Sequence, residues 1–479
     1  TAALGGPHDV AIDPSSDFHI VEDSAQRSFR VESDGDLFTT AGSGTGGFVG
    51  DGGSALSARL FFPRGIAFKM PSMAPSPAPP APPSRGIYVS DQGNHVIRFA
   101  NLGTNPVTFF AGTPEEIVVA PGNIDRIAGP APGTTGLLDG GARTLARFRF
   151  PEKLAVDPSG NLYVADRRNG AIRLINMQST PISFGGQTIN PGEVRRIVTG
   201  LSSVVTGVGL DSGGNVFIAD TFRHRVVRAD AVTGATTVVL APTGLDGYGG
   251  DGLAATDAAV RLSVPADVAF HPTTGDMYVA DAGNHRIRRV AAGADGLVTG
   301  AADEIVSTFA GAGAAGYSGD QGAATDAQLN FPRGVEFDAL GRLYVADTSN
   351  GRIRRISGPN VLPGMEGIPI DVIPGVRVTV INGSITGGGH MLASASILGP
   401  PAPLGLNLGP PARRVFYDLT RTFTVSAGTE FLIEINYDNQ FAGVLTEGQE
   451  ATLRLRRYLN LDPVITEDVT ILPVDTVNN

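Results

Sequence analysis

Leu343–Ile356 reads LYVADTSNGRIRRI, and the chain repeats it. Met277–Val290 is MYVADAGNHRIRRV, Leu162–Ile175 is LYVADRRNGAIRLI, Ile87–Ala100 is IYVSDQGNHVIRFA and Val216–Ala229 is VFIADTFRHRVVRA; a more distant copy, HIVEDSAQRSFRVE, lies at His19–Glu32. A unit repeated at this spacing tiles one supersecondary structure. Its first half is an aliphatic and aromatic run that favours a strand. An Asp closes it, at Asp23, Asp91, Asp166, Asp220, Asp281 and Asp347. Asp accepts bonds from nearby backbone N–H groups, so these six are expected to fix a turn. In the second half Phe29, Ile97, Ile172, Val226, Ile287 and Ile353 are expected to point inward. Arg30, Arg98, Arg173, Arg288 and Arg354 are then expected to face out or stack between units, with Arg228 one place later in its copy.

Before each pair comes another strand-like run: Pro7–Asp13, Pro63–Phe68, Pro151–Asp157, Val205–Asp211, Pro265–Phe270 and Pro332–Asp338. After the pair a fourth ends in Ala-Gly or a relative, as in FTTAG at Phe38–Gly42, FFAG at Phe109–Gly112 and STFAG at Ser307–Gly311. Four antiparallel strands per tile, six tiles and Gly-rich connections are the pattern of propeller blades. The YVAD–N–H–RIRR core, with an upstream P-x-G-V-A and a G-D-G-G connection, resembles the NHL repeat. That resemblance spans residues 1–357 and implies an all-β, six-bladed β-propeller. TAALG at Thr1–Gly5 is similar to the end of a fourth strand, and the sixth tile shows none after Ile356. The N-terminal residues are therefore expected to supply the outer strand of the last blade and close the ring, which leaves no sheet edge unpaired there.

Composition bounds the partners. The 479 residues carry a net charge of −11, which argues against nucleic acid and anionic membrane. The absence of Cys removes disulfides and Cys-ligated metal, and no run approaches the ~18 apolar residues of a membrane span. The first residue is Thr, read here as a mature secreted protein whose signal peptide has been removed, placing it outside the cell or at its surface.

Asp51, Asp139 and Asp320 each precede a Pro by twelve residues in Gly-rich connections, and Asp251 begins a longer variant. A calcium loop needs several oxygen-bearing side chains at alternating positions; these offer one Asp each and are read as N-caps of short helical turns. Residues 70–85, MPSMAPSPAPPAPPSR, hold seven prolines that no ladder accepts, so they form an exposed polyproline-like loop. Residues 104–135 and 176–193 are further insertions. Residues 358–375 break the repeat and read as a linker. Period-two runs at Val376–Asn382, Met391–Leu398, Val415–Val425, Glu430–Tyr437, Ala451–Tyr458 and Val464–Leu472 then suggest a small antiparallel β-sandwich over 376–479. EINYDNQFAGVLTEGQEATLRLRRY, within it, is loosely similar to Ig-like modules of bacterial surface proteins.

His95, His224 and His285 share a repeat column and are structural by position; no HExxH, GxSxG or P-loop pattern occurs. First strands line a propeller's channel, which makes His8, Asp9, Arg64, Glu152, Lys153, Thr206, Ala266, Asp267 and Arg333 the channel-mouth candidates, with Glu336 further along. The resemblance implies that a lyase of this kind would gather several His around zinc there, and a lactonase-type propeller a set of Glu, Asp and Asn around a divalent ion. One His excludes a three-His zinc site; Asp9, Glu152, Asp267 and Glu336 leave a carboxylate site as the alternative, against charges that neutralise one another. The reading is a scaffold with no metal or cofactor whose partner is a protein, including copies of itself. The alternative is a metal-dependent hydrolase or lyase at the mouth. VITEDVTILPV, with Val464, Ile465, Val469 and Ile471, is the candidate assembly strand, since an exposed edge templates pairing with another chain.

Overall fold

The computed structural model describes residues 4–356 apart from 14–16, 32–35, 70–84, 131–133, 321 and 340, and the backbones of eight strands beyond them. The chain divides into two compact units, parting at Arg355 and Ile356.

The first unit is a six-bladed β-propeller. Blade 1 comprises Pro7–Ile12, Phe18–Glu22, Arg27–Val31 and Leu37–Ala41; blade 2 comprises Pro63–Phe68, Gly86–Asp91, Val96–Asn101 and Ile124–Ala128. Blade 3 is Pro151–Val156, Leu162–Asp166, Ala171–Ile175 and Val194–Val198, and blade 4 is Gly207–Leu210, Val216–Asp220, Arg225–Ala229 and Thr236–Leu240. Blade 5 is Pro265–Phe270, Met277–Asp281, Arg286–Val290 and Val306–Ala310, and blade 6 is Pro332–Phe337, Leu343–Asp347 and Arg352–Ile356. Every residue of the Leu162–Asp166, Val216–Asp220, Met277–Asp281 and Leu343–Asp347 strands is buried. Such a strand is covered on both faces by neighbouring blades, so its sequence is a continuous apolar run rather than an alternation. The cores accordingly lie between blades. Phe99, Phe148 and Leu154 belong to one such cluster, and Phe217, Leu262 and Met277 to another.

Val10, Ile20 and Phe29 of blade 1 pack with Tyr344 of blade 6, closing the ring. Leu4 joins this cluster, and its carbonyl lies so near Gly351 that no side chain would fit there. Thr1–Ala3 lie outside the described residues, and blade 6 has three strands among those described.

Two strand readings need correction. FFAG is not the fourth strand of blade 2: Val107–Phe109 pairs with Ile117–Val119 in an extra hairpin, and Ile124–Ala128 pairs with Val96–Asn101. The Ala-Gly signature is instead Ala128-Gly129, whose φ of 106° matches Gly42 at 96° and Gly311 at 97°. Asp23 does not belong to the Asp column. Pro63, Pro151, Pro265 and Pro332 pair with Asp91, Asp166, Asp281 and Asp347, but Pro7 pairs with Glu22. The distant copy was therefore read one residue out of register.

The column has one job. Asp91, Asp166, Asp281 and Asp347 Oδ1 each accept the N–H of Phe61, Arg149, Ser263 or Asn330 at 2.7 Å. Their Oδ2 atoms accept from Asn94, Asn169, Asn284 and Asn350 at 2.7–2.8 Å. Asp220 receives Ser202 N–H at 2.8 Å. The His column sits in left-handed backbone one turn later and ties blades 2, 4 and 5 each to the next. His95 Nδ1 accepts Phe150 N–H at 3.1 Å, His224 accepts Val264 N–H at 3.2 Å and His285 accepts Phe331 N–H at 3.1 Å. Blade 1 does the same with Gln26 Oε1 and Phe62 N–H at 2.7 Å.

An imidazole nitrogen accepts only when unprotonated, and burial lowers the His95 and His285 pKa values. A lowered folded pKa means stability that is complete above the unfolded value and is lost as pH falls below about 6.5. His285→Gln, which copies Gln26, is expected to match the parent at pH 8. By pH 5 it should gain on the parent by about 0.5–1 kcal/mol, measured by urea unfolding of both chains; parallel curves at the two pH values would refute the neutral-acceptor role.

In the second unit, Asn360–Val361, Gly389–Ser396, Phe416–Arg421 and Val469–Thr470 form one antiparallel sheet in that order. Ile370–Ile373, Val376–Asn382, Glu430–Ile435 and Leu453–Tyr458 form another. Val469 pairs with Leu419; Val464, Ile465 and Ile471 lie outside the described residues, as do most of those on which the Ig-like sandwich reading rests. Most of the Pro-rich loop, residues 70–84, also lies outside them.

Candidate functional site

The six first strands present two successive layers of side chains to the channel. The deeper layer reads, around the ring, Asp9, Gly65, Lys153, Gly207, Asp267 and Gly334. Charged residues come from blades 1, 3 and 5, and glycines from 2, 4 and 6. The glycines are obligatory for close approach. A side chain would strike the Glu152 carbonyl at Gly65, the Asp267 backbone at Gly207, and Asp9 Oδ1 at 2.8 Å at Gly334. Into the room they leave, Lys153 Nζ reaches Asp9 Oδ1 at 2.6 Å and Asp267 Oδ2 at 3.0 Å, with Glu336 Oε2 at 3.8 Å. The other Asp9 oxygen accepts Ile66 N–H at 3.0 Å, and Asp267 Oδ2 also accepts Val335 N–H at 3.0 Å.

One ammonium thus faces three carboxylates. Burial opposes the Lys153 charge, but Asp267, Asp9 and Glu336 outweigh it and raise its pKa. The carboxylates are raised too, first by burial: Asp267 is pushed up to about 7, as is Glu336, with Lys153 pulling both down. The Glu336 side chain is 40% exposed, whereas Asp9, Lys153 and Asp267 side chains are all under 8%.

The outer layer holds His8, Arg64, Glu152, Thr206, Ala266 and Arg333. Glu152 is its centre. Arg167 Nε stands 2.9 Å from Oε2, and Arg64 and Arg333 stand 3.7 and 3.9 Å from Oε1. Asp23 faces Arg64 at 3.2 Å and His8 at 3.8 Å. Burial, then Arg333, Arg64 and Arg167, hold His8 well below the ordinary imidazole value, so it stays neutral. Thr206 bridges blades by donating to the Ala266 carbonyl at 2.8 Å. All the channel-mouth candidates therefore converge. Sequence reasoning missed Arg167 and Gln92, and placed Asp23 elsewhere, because these reach the mouth from the turn after the second strand. Their shared position, one past the column Asp or Glu22, was the available signal. Among the described residues no group of three or more His, Asp or Glu is arranged to hold a metal ion.

Outside the channel, the arginine column does not face out: Arg98, Arg173 and Arg288 are fully buried. Each bridges the column Asp of its own blade to the Asp of the preceding connection. Arg98 lies 3.6 Å from Asp91 and 2.9 Å from Asp51; Arg173 lies 3.0 Å from both Asp166 and Asp139. Arg288 lies 3.5 Å from Asp281 and 2.6 Å from Asp251, and Arg354 contacts Asp347 and Asp320. The N-cap reading of these connection Asp residues is overturned: the short turn at Ala55–Ser57 is preceded by Ser54 and that at Ala324–Asp326 by Ala323, neither with a side-chain cap bond. An aromatic ring in the same connection covers each of the four guanidinium groups, Phe48 for Arg98, Phe148 for Arg173, Tyr248 for Arg288 and Tyr317 for Arg354, at 4.9–5.2 Å. Blade 4 has Val227 in the arginine's ladder position and lacks the Asp–Gly connection before it; blade 1 has Phe29 in that position.

The NHL repeat pattern matches residues 148–173 and 329–356, which cover the first three strands of blades 3 and 6. Over 167 residues, 31% of this chain, the sequence is 32% identical to Teneurin-1 of Mus musculus and 31% identical to Teneurin-1 of Homo sapiens. The chain spans about 6% of the length of these relatives. Among solved structures, an auxiliary nutrient binding protein from Bacteroides thetaiotaomicron is similar at 15% identity, over 74% of this chain and 69% of that one, with a TM-score of 0.45. Virginiamycin B lyase from Staphylococcus aureus is similar at 10% identity, over 74% and 86%, with a TM-score of 0.39. The ring is a six-bladed β-propeller, and blades 3 and 6 carry the NHL repeat pattern.

Proposed function

We propose that the protein is a non-enzymatic interaction scaffold that works outside the cell and binds proteins, including copies of itself, through its C-terminal β domain. The observation that carries this reading is the state of the channel, where its charged side chains are engaged with one another. Lys153 is held between Asp9 and Asp267, and Glu152 is ringed by Arg64, Arg167 and Arg333. A metal would have to displace an ammonium or guanidinium from every carboxylate it used. What remains is a rigid ring with two faces, a form suited to recognition. NHL repeats support the same coarse reading, though a fold does not by itself fix a function.

Self-association is the finer part of the proposal. Val469–Thr470 ends its sheet in the described strand order, and an edge strand is a template for a strand from another chain. Contacts between two different surfaces that do not close propagate as a filament. Deleting residues 462–479 should abolish assembly seen by sedimentation and electron microscopy of the full chain. A full chain that stays monomeric at high concentration, or polymers unaffected by the deletion, would rule the mechanism out. Against the enzymatic alternative, no divalent-metal-dependent turnover of lactones, esters or peptide derivatives is expected; turnover lost in both Glu152→Gln and Glu336→Gln would establish an enzyme instead.

A further inference from the structure

Two guanidinium groups at the channel mouth have donors with no acceptor in reach at Glu152. Arg64 Nη1 and Arg333 Nη1 stand 3.7 and 3.9 Å from the same oxygen, Glu152 Oε1, beyond hydrogen-bond distance. The opposite oxygen is taken by Arg167 at 2.9 Å and Gln92 at 3.4 Å. Arg64 Nε is buried and has no hydrogen-bond partner among the described residues. Arg333 lies over the Phe331 ring at 4.9 Å, a contact that orients the guanidinium plane and leaves its edge available.

The charges point the same way. Three guanidinium groups meet two carboxylates, Glu152 and Asp23, so one positive charge is uncompensated within this layer. His8 is neutral and does not alter the balance. In the deeper layer Lys153 engages Asp9 and Asp267 at 2.6 and 3.0 Å. The basin over these groups is lined by Arg64, Glu152 and Arg333, with Asp9, Lys153 and Asp267 behind them, and opens to solvent.

We propose that the channel mouth binds a small oxyanion between Arg64 and Arg333, directly outside Glu152. Guanidinium groups present paired N–H donors that match two oxygens of a carboxylate or phosphate, and here two such forks flank one opening. Glu152 holds the forks apart and, being negative, weakens the site it organises. This site stands whether or not the protein assembles.

The test is isothermal titration of the full chain with sodium phosphate, and separately with sodium acetate, at constant ionic strength. Saturable binding is expected, and the tighter of the two anions identifies the ligand class. Arg64→Met and Arg333→Met should each weaken it about tenfold, the loss of one charge-assisted hydrogen bond. Arg333→Lys, which keeps the charge but not the fork, should fall between. Glu152→Gln should tighten it. Thermal unfolding of each variant establishes that it is folded, and the Lys and Gln variants serve if a Met variant is not. The proposal is overturned if neither anion saturates, if both arginine sites can be changed without loss, or if Glu152→Gln weakens binding.

Discussion

Lys153→Met is expected to cost about 3–5 kcal/mol of stability at pH 8, the price of removing one partner of a buried ion pair. The ammonium touches Asp9 at 2.6 Å and Asp267 at 3.0 Å, and both carboxylates are almost fully buried. Without it, three carboxylates face one another. Asp267 is already pushed up to about 7 by burial, and losing Lys153 sends it higher. A raised carboxylate pKa penalises the folded state above that pKa, and the penalty fades as pH falls and the group protonates. The deficit of Lys153→Met should therefore shrink between pH 8 and pH 5, in urea unfolding followed by circular dichroism. Adding Asp267→Asn should recover part of it at pH 8. A deficit that is the same at both pH values would mean that Lys153 acts by packing rather than by charge.

The second large effect is expected at Arg288. Its guanidinium bridges Asp281 and Asp251, donates to the carbonyls of Arg261 and Gly249 at 3.1 Å, and lies against Tyr248. Arg288→Met leaves Asp281, already pushed up to about 6 by burial, without its buried cation, for a loss of about 3–5 kcal/mol. Blade 4 supplies the contrast. It carries Val227 in this place, and Asp220 takes Arg225 at 3.0 Å instead. Arg228→Met, whose partner Asp230 is on the surface, should change unfolding little. Equal effects at Arg288 and Arg228 would refute the bridging role.

The blades were legible because their signal is dense. Each LYVAD-type strand is buried on both faces, so its apolar run survives in every copy. Asp and Asn are fixed by backbone bonds that no other side chain makes with the same reach. The errors came where one feature could be satisfied by two residues. In the distant copy, Glu22 and Asp23 both offered a carboxylate, and only strand pairing tells them apart. FFAG matched STFAG by composition, but the strand is set by which segment completes the ladder, and that is Ile124–Ala128. For Arg98 and its relatives two readings stood open, facing out or stacking between units, because a charge rarely lies inside. The Asp of the connection that makes burial tolerable lies 30 or more residues upstream, as Asp51 does from Arg98 and Asp251 from Arg288. Yet the two features occur together in blades 2, 3, 5 and 6, and blade 4 has neither. The channel candidates were found by position alone, whereas their pairing depends on distances across the ring that no local pattern encodes.

The alternation of Asp9, Gly65, Lys153, Gly207, Asp267 and Gly334 gives the ring a parity. At its centre the propeller is three pairs of blades rather than six equal ones, each pair made of one blade that extends a charge and one that stands aside for it. Inserting or deleting a single blade would bring two charges, or two gaps, side by side. Blades can therefore be exchanged between positions of like parity, or added in twos, while an odd change would require the channel to be refilled.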